Sequence, residues 1–469
     1  MSALRNLASA GTPLVSLLVL SSPLAAQSTW TVDDNGSADF VHIQDAIDNA
    51  MDGDVIEILA GAYAAFDIDG RALTLRAVGD AEVVSGVTIR NVPPGMQVEI
   101  DSLTIGRTFA GAYVPALTLE NNAGTVRIVD TAIYGFSGVD SYYGGYYGCP
   151  YPWTKDCLYA AAGLSCSNNN DVVVLRCTVR GGGGADSYDD HGNTGGANAL
   201  RVDGSFLSIH ESTCSGGSGG RTSESGHSGA GGGNGVNLTS STLFADATSF
   251  RGGRGGSGGG CHWLCQACCG VTGPNGRGMF VGPSSHASWK ACSFGGADAA
   301  PSGPNSEVFV APYCFGTFEE CPCNNAGFGT AGCENAHVAK GVELVATGTP
   351  SVANDTVLFT ATGLNPGASL PTIFFQGDQR ENNGSGTVFN DGLLCASGTI
   401  VRLKGVFSMN GTATLGFGTP NDAPVSTLGG LPSAGGTRTY QLWYRSQPDM
   451  FCLPAPFNMS NGVEIVWGP

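Results

Sequence analysis

The sequence predicts an all-β chain, a solenoid of stacked short strands followed by a small β-sandwich. Three observations carry that reading: the glycine content, an eight-residue repeat, and short apolar runs near the end. Glycine supplies 73 of 469 residues without a collagen period. Each interior glycine costs a helix about 1 kcal/mol relative to alanine, so helix cannot dominate. A chain that is 42% hydrophobic and only 13% charged is too apolar for a disordered acidic polymer. Lys plus Arg number 21 against 39 Asp plus Glu, a formal net charge of −18. That excludes nucleic acid as the expected partner, because phosphate binding needs a basic face.

Residues 1–26 read as a secretory signal peptide. Arg5 supplies the positive start, Pro13 to Leu20 the apolar stretch, and Leu24-Ala25-Ala26 the small-residue cleavage region. The apolar run falls short of the ~20 residues that span a bilayer, and no later run reaches that length. A secreted or cell-surface location is therefore expected. All 16 cysteines lie between Cys149 and Cys452, and export favours disulfides. Cys149 and Cys157 bracket one loop, Cys323 and Cys333 another, and Cys395 with Cys452 would tie the last domain. Cys261, Cys265, Cys268 and Cys269 are further disulfide candidates; their alternative is zinc, although no second paired knuckle accompanies them.

Six eight-residue segments align without gaps: Val98–Ile105, Val126–Ile133, Val172–Val179, Leu207–Cys214, Leu243–Phe250 and Ala287–Phe294. Positions one and three are apolar with a strand's period of two. A bend at positions four and five resets the phase, so six and eight also point inward. Position six is small or thiol: Leu103, Thr131, Cys177, Ser212, Thr248 and Cys292. Cys177 and Cys292 are accordingly expected as buried, unbridged thiols. A third short strand precedes five of the segments, at Leu117, Leu164, Leu200, Val236 and Met279. Turn residues such as Asn121-Asn122 and Asn168-Asn169-Asn170 separate it from the next strand. Segment starts are 28, 46, 35, 36 and 44 residues apart, with the variable length falling after each segment. Three strands per turn with loops leaving one corner predict a right-handed parallel β-helix over residues 27–296.

The opening is similar to a known family. Trp30-Thr31-Val32-Asp33-Asp34-Asn35-Gly36 and Phe40-Val41-His42-Ile43-Gln44-Asp45-Ala46-Ile47, followed by Asp52-Gly53-Asp54-Val55-Ile56-Glu57-Ile58, Gly61 and Tyr63, resemble the first coil of pectin-lyase-like β-helices. The resemblance covers residues 30–105 and implies the fold. Ile43, Ala46, Ile47 and Ala50 fall on one helical stripe, suited to plug the solenoid's open end.

Residues 297–332 read as a Cys/Pro/Gly-rich linker. From 333 to 469, short apolar runs at Thr356–Thr362, Thr372–Phe375, Ile400–Phe407, Thr412–Gly416, Thr439–Tyr444 and Val463–Trp467 predict a β-sandwich. The ending, Phe457 to Trp467, resembles a C-terminal module of secreted bacterial proteins.

Catalytic machinery is sparse, and no catalytic residue is assigned. The outward seventh position of the repeat runs Thr104, Ala132, Thr178, Thr213, Ser249, Ser293, with no acid to hold calcium or act as a base. None of the internal motifs of pectin methylesterases follows the first coil. Asp186, Asp189 and Asp190 share one loop with His191 and form a candidate calcium-holding set; otherwise no cofactor is expected. They are similar to the carboxylates of galacturonan hydrolases, except that those stand on successive strands. His210 and His227 lack an obvious Ser or Cys partner. Between Gly181 and Gly260 stand 25 glycines in 80 residues, expected to lie together as a sheet of extended backbone. Aromatic faces suit stacking on sugars, so Tyr134, Tyr142, Tyr146 and Trp153, with Arg180 and Arg251 just beyond equivalent strands, are the carbohydrate-contact candidates. The expected function is an exported protein that binds extracellular polysaccharide or belongs to the cell envelope. A polysaccharide lyase or glycosidase and a structural or adhesive surface protein are the alternatives.

Overall fold

The computed structural model describes residues 27–106, 114–138, 160–186, 193–222, 227–259, 271–295, 310–338, 340–446 and 456–469. It also describes the backbone of short strands at 141–142, 145–146, 261–262, 265–269 and 305–307. The expected signal segment lies outside these residues, as do Cys149, Cys157 and Cys452. The protein is all-β with long parallel sheets, and no described helix is long and apolar enough to cross a membrane.

The repeat builds the parallel part. The segment Val126–Ile133 becomes two strands, Thr125–Val129 and Ala132–Tyr134, and the other repeats divide likewise. The first half pairs coil to coil through Gln97–Asp101, Thr125–Val129, Asp171–Leu175, Phe206–His210, Thr242–Asp246 and His286–Lys290. The second half pairs through Thr104–Ile105, Ala132–Tyr134, Thr178–Arg180, Thr213–Ser215, Ser249–Arg251 and Ser293–Gly295. The third strands form a separate seven-stranded sheet from Asp67–Asp69 to Met279–Val281. Inward residues of all three faces share one core that includes Ile128, Ile133, Leu119, Val174, Val179 and Cys166. At its start lies the helix Ile43–Asn49, whose Ile43, Ala46 and Ile47 are buried. Trp30 packs edge-on against Phe40, ring centroids 5.6 Å apart.

One residue per coil makes the corner. Ser102, Asp130, Arg176, Glu211, Ala247 and Ala291, all at position five, have left-handed backbone with φ between 46° and 60°. The first five donate their N–H to the carbonyl preceding the next coil's corner, as Asp130 does to Leu175 at 3.0 Å. The small sixth residue follows from the same geometry. Thr131, Ser212 and Thr248 turn their hydroxyls back onto the carbonyl two residues earlier, at 2.7, 2.7 and 2.9 Å. The Ser212 hydroxyl also accepts the Cys177 N–H at 2.9 Å. Position six therefore relays hydrogen bonds along the stack inside an apolar core, where an unpaired N–H would cost about 1–3 kcal/mol. A second buried relay lies at the opposite turn, where Asn169 N–H reaches Ser205 Oγ, Ser205 N–H reaches Ser241 Oγ and Ser241 N–H reaches Ser285 Oγ. Cys177 and Cys292 are unbridged as expected, and so are Cys166 and Cys214.

The C-terminal part is antiparallel and sandwich-like. One sheet runs Val310–Tyr313, Gly462–Trp467, Gly436–Arg445, Pro371–Gly377, Val401–Phe407; a second runs Glu343–Thr347, Leu358–Thr362, Thr412–Gly416. Phe359, Phe374, Tyr440 and Trp467 pack between them. The expected disulfide pairings are corrected here: Cys321 bonds Cys333, and Cys314 bonds Cys395. The 3-10 turn Pro322–Asn324 carries Cys323, at φ 58°, past the point where Cys321 meets Cys333. Cys314 reaches Cys395 because Val310–Tyr313, inside the stretch read as linker, joins the C-terminal sheet. Cys323 is bridged as well.

This C-terminal part covers the first-half sheet of the parallel stack. Phe315 packs on Val129 and Leu175. Arg127, fully buried, donates to the carbonyls of Gly316 and Gly327 at 3.1 and 3.0 Å and lies 3.6 Å from Glu99. Arg380 reaches both Asp246 (3.3 Å) and Glu464 (3.0 Å), and Lys290 also pairs with Glu464. Burial raises the Glu464 carboxyl, but Arg380 and Lys290 outweigh it and hold the group below its ordinary value. Removing one partner of a largely buried network strands the others. Arg380→Ala is therefore expected to destabilise the protein by about 3 kcal/mol in denaturant unfolding. Asp101 behaves oppositely: burial, then the neighbouring Glu99, pushes its carboxyl up to about 7. The folded state then holds a proton that the unfolded chain has lost, so acidification from about pH 7 toward 4 adds stability. Asp101→Asn should be more stable than the parent at pH 8 and gain less on acidification, read from melting temperature against pH.

Candidate functional site

The long stretches that leave the second-half strands form a second hydrogen-bonded body. From Arg251 to Gly259 exposure repeats every three residues, with Arg251, Arg254 and Ser257 outward and Gly253, Gly256 and Gly259 buried. A period of three is that of the polyproline-II helix, which makes no internal hydrogen bonds. Here the bonds go to neighbouring legs. Outgoing legs at 135–138, 181–186, 216–222 and 252–259 form one layer, here the outer layer; returning legs at 193–199, 227–235 and 271–278 form a second one packed against it, with exposed residues of its own such as Val271, Pro274 and Asn275. A chain of bonds alternates between layers: Ala197 N–H to Gly182 O, Gly217 to Ala197, Gly233 to Gly217, Gly253 to Gly233 and Gly276 to Gly253, all 2.8–2.9 Å. Close approach explains the composition. A methyl on Gly217 would sit 1.8 Å from the Gly182 carbonyl oxygen, and one on Gly253 1.9 Å from that of Gly217. The expectation of extended legs lying together is met, with two layers instead of one sheet.

Outer-layer legs are also bonded to each other in rows three residues apart. Gly135 N–H reaches Arg180 O, Gly181 reaches Ser215 O and Gly216 reaches Arg251 O, at 2.7–2.9 Å. One row out, Gly138 reaches Gly183 O, Gly184 reaches Ser218 O and Gly219 reaches Arg254 O, each at 2.8 Å. Outward side chains thus stand on a grid. Its first row is Tyr134, Arg180, Ser215, Arg251, the same register in which the strands pair. The Arg180 guanidinium lies over the Tyr134 ring, 5.7 Å from its centroid. Inside that row, one step back along each strand pair, run the outward hydroxyls Thr104, Thr178, Thr213 and Ser249, with Ala132 among them.

Among the contact candidates, Tyr134, Arg180 and Arg251 are brought together. Tyr142 and Tyr146 lie on a two-residue antiparallel pair, Ser141–Tyr142 with Gly145–Tyr146, whose side chains fall outside the described residues. Trp153 falls outside them too, as do Asp189, Asp190 and His191. Asp186 accepts the Arg221 N–H at 2.6 Å. The four cysteines Cys261, Cys265, Cys268 and Cys269 lie on two short antiparallel strands described by backbone alone. Arg221, Ser218, Arg254 and Ser257 belong to the grid and escaped the sequence reading. Their signal was the Gly-Gly-X period, which puts one outward residue after every glycine pair.

His210 does have a serine partner. Its Nε2 lies 2.7 Å from Ser208 Oγ, because residues two apart on a strand share a face. Burial, then the nearby Arg380, pulls the imidazole down to about 3, and Phe315 stacks edge-on at 4.8 Å. A neutral, fully covered histidine cannot take a proton from a substrate, so this pair is packing and not a site. A cleft of about 540 Å³ between Phe244, Val310, Leu344 and Val463 is mainly apolar and gathers no set of reactive groups.

Two substitutions separate the tight positions of the layers from the open ones. Gly217→Ala is expected to lower stability by about 2–3 kcal/mol through overpacking. Gly183→Ala, whose nearest atom would be Ser137 Oγ at 3.6 Å, should leave stability within about 0.5 kcal/mol of the parent. Thermal unfolding of both variants checks the pair. No protein-family model matches the chain, and no curated protein is similar to it.

Proposed function

We propose that this chain is an exported, non-catalytic polysaccharide-binding protein of the cell envelope. Its parallel part is a right-handed β-helix of the pectin-lyase-like kind, closed on one face by a β-sandwich module. The outer grid of the glycine legs is its contact surface. The observation that carries the reading is the row Tyr134, Arg180, Ser215, Arg251, held in register by strand pairing and extended by the legs. Loops on a rigid scaffold are where binding residues concentrate. An aromatic ring with a guanidinium above it presents a flat apolar face and fixed donors together, the combination that suits a sugar ring with its hydroxyls. The hydroxyl row beside it supplies further donors and acceptors. Export is supported by the apolar leader and by bridged cysteines.

Catalysis is disfavoured because Asp101, Glu99 and His210, whose protonation is displaced, are buried beneath the C-terminal part, and Glu334, which burial pushes up to about 7, lies within the C-terminal part itself. Groups there meet no polymer. A glycan array run with product detection tests the reading. Binding without product is expected, and Tyr134→Ala with Arg180→Ala should weaken it by about 1–3 kcal/mol. Release of shortened or unsaturated sugars would move the protein to the lyase or glycosidase class. Absence of any glycan binding would leave a structural surface protein.

A further inference from the structure

Four arginine side chains on the outer layer pair with no carboxylate among the described residues. Arg180 and Arg251 stand in the first row two legs apart, Arg254 one row further out, and Arg221 two rows out on the leg between. All four are exposed, and none makes an ion pair among the described residues. Elsewhere Arg76, Arg90, Arg127, Arg176 and Arg380 each have an acid beside them, while Arg71, Arg201, Arg402, Arg438 and Arg445 also make no ion pair among the described residues but are scattered singly over the chain. The outer layer's one described acid, Asp186, has an oxygen tied to the Arg221 backbone. The full chain carries a formal charge of −18. Unpaired guanidinium groups gathered on one face of so acidic a protein repel one another, and the arrangement is stabilised when anions come from outside.

The spacing says what kind of anion. Rows three residues apart are separated by roughly 9 Å at 3.1 Å per residue, and adjacent hydrogen-bonded legs by roughly 4.8 Å. On that grid each arginine lies roughly 10 Å from its nearest fellow, and no straight line meets more than two of them. The floor between them is Gly183, Ser215, Ser218 and Ser257, small residues that keep the face level. A single straight polymer chain would engage two arginines and leave two unpaired. Building on the polysaccharide reading, we infer that this layer docks flat on a packed anionic polysaccharide matrix, engaging several chains at once. Each guanidinium takes a carboxylate or sulfate group of the matrix in a forked pair, and Tyr134 borders the patch. Weak individual contacts add because the legs are locked to each other and the docking surface is preorganised.

The test uses the full chain and covalently cross-linked alginate beads, with cross-linked neutral dextran beads and phosphatidylglycerol vesicles beside them. Retention on alginate is expected, falling steeply between about 0.05 and 0.5 M salt as screening shortens. Arg221→Ala with Arg254→Ala should weaken retention at least tenfold, at roughly fivefold per arginine near an anionic surface. Their melting temperature should match the parent's, since both side chains point outward, and Arg→Lys at the same positions should restore part of the binding. Short soluble alginate oligomers should compete at least tenfold worse than the beads at equal uronate concentration. Equal retention on dextran, with the variants unchanged, overturns the anionic class while leaving glycan binding intact. Oligomers competing as well as beads overturn multi-chain docking. Tighter binding to the vesicles makes a lipid surface the partner instead. Retention on neither bead, together with a blank glycan array, overturns the polysaccharide reading itself.

Discussion

Everything in this protein depends on coil-to-coil register at the corner where each repeat bends. A left-handed residue redirects the chain without a glycine, and its N–H is spoken for by the coil that follows. Because the corner is made the same way six times, the strands on either side keep their lengths while the intervening loops vary from coil to coil. The hydroxyl and thiol column just past the corner shows how little slack there is. A hydroxyl that both receives an N–H and turns back to a carbonyl leaves no polar group stranded in an otherwise hydrocarbon core. Leu103 fills the same position in the first of the six coils, so the hydroxyl relay belongs to the later coils.

That register propagates outward into the glycine legs. Extended glycine chains are flexible linkers in isolation, since nothing offsets their conformational entropy. Here each leg is anchored at one end by strands that already lie side by side, so part of the ordering entropy is met before the legs meet. Backbone bonds between legs then do the rest, and close approach demands glycine at positions such as Gly182, Gly217 and Gly253. The outcome is a level platform whose third residues are free to vary. The residues at those positions bear no packing duty, which is the condition under which loops on a rigid scaffold can carry binding residues.

The opposite face illustrates the other use of polar residues. The side chains of Arg127, Asp246, Lys290 and Arg380 are enclosed at a junction, where they hold one orientation of the C-terminal part against the parallel stack. Such networks specify geometry more than they add stability, because desolvation offsets much of the attraction. In the same protein, then, Arg127 and Arg380 have acids beside them under the covering part, whereas Arg180, Arg221, Arg251 and Arg254 face solvent without an ion pair among the described residues. Chemistry of the residue type is identical; only enclosure differs.

Much of this was legible in the sequence. Apolar positions one and three, the small sixth residue and the turn asparagines are local consequences of strand period and backbone conformation, so they can be read without knowing what lies next door. The register of Arg180 with Arg251 was legible too, because a repeat of constant strand length fixes which residues stack. Other features involve partners far away in the chain, and no local pattern encodes them. Cys314 finds Cys395 across 81 residues because a strand from the supposed linker crosses into the last sheet. Arg127 is buried because residues 316 and 327 return to cover it. The stacked-strand architecture follows from local pattern, since each coil's strand lengths and apolar faces are set by residues within it. Which charged groups are enclosed and which stand open on the platform follows from long-range packing, because enclosure is a property of the chain that comes back from a distance.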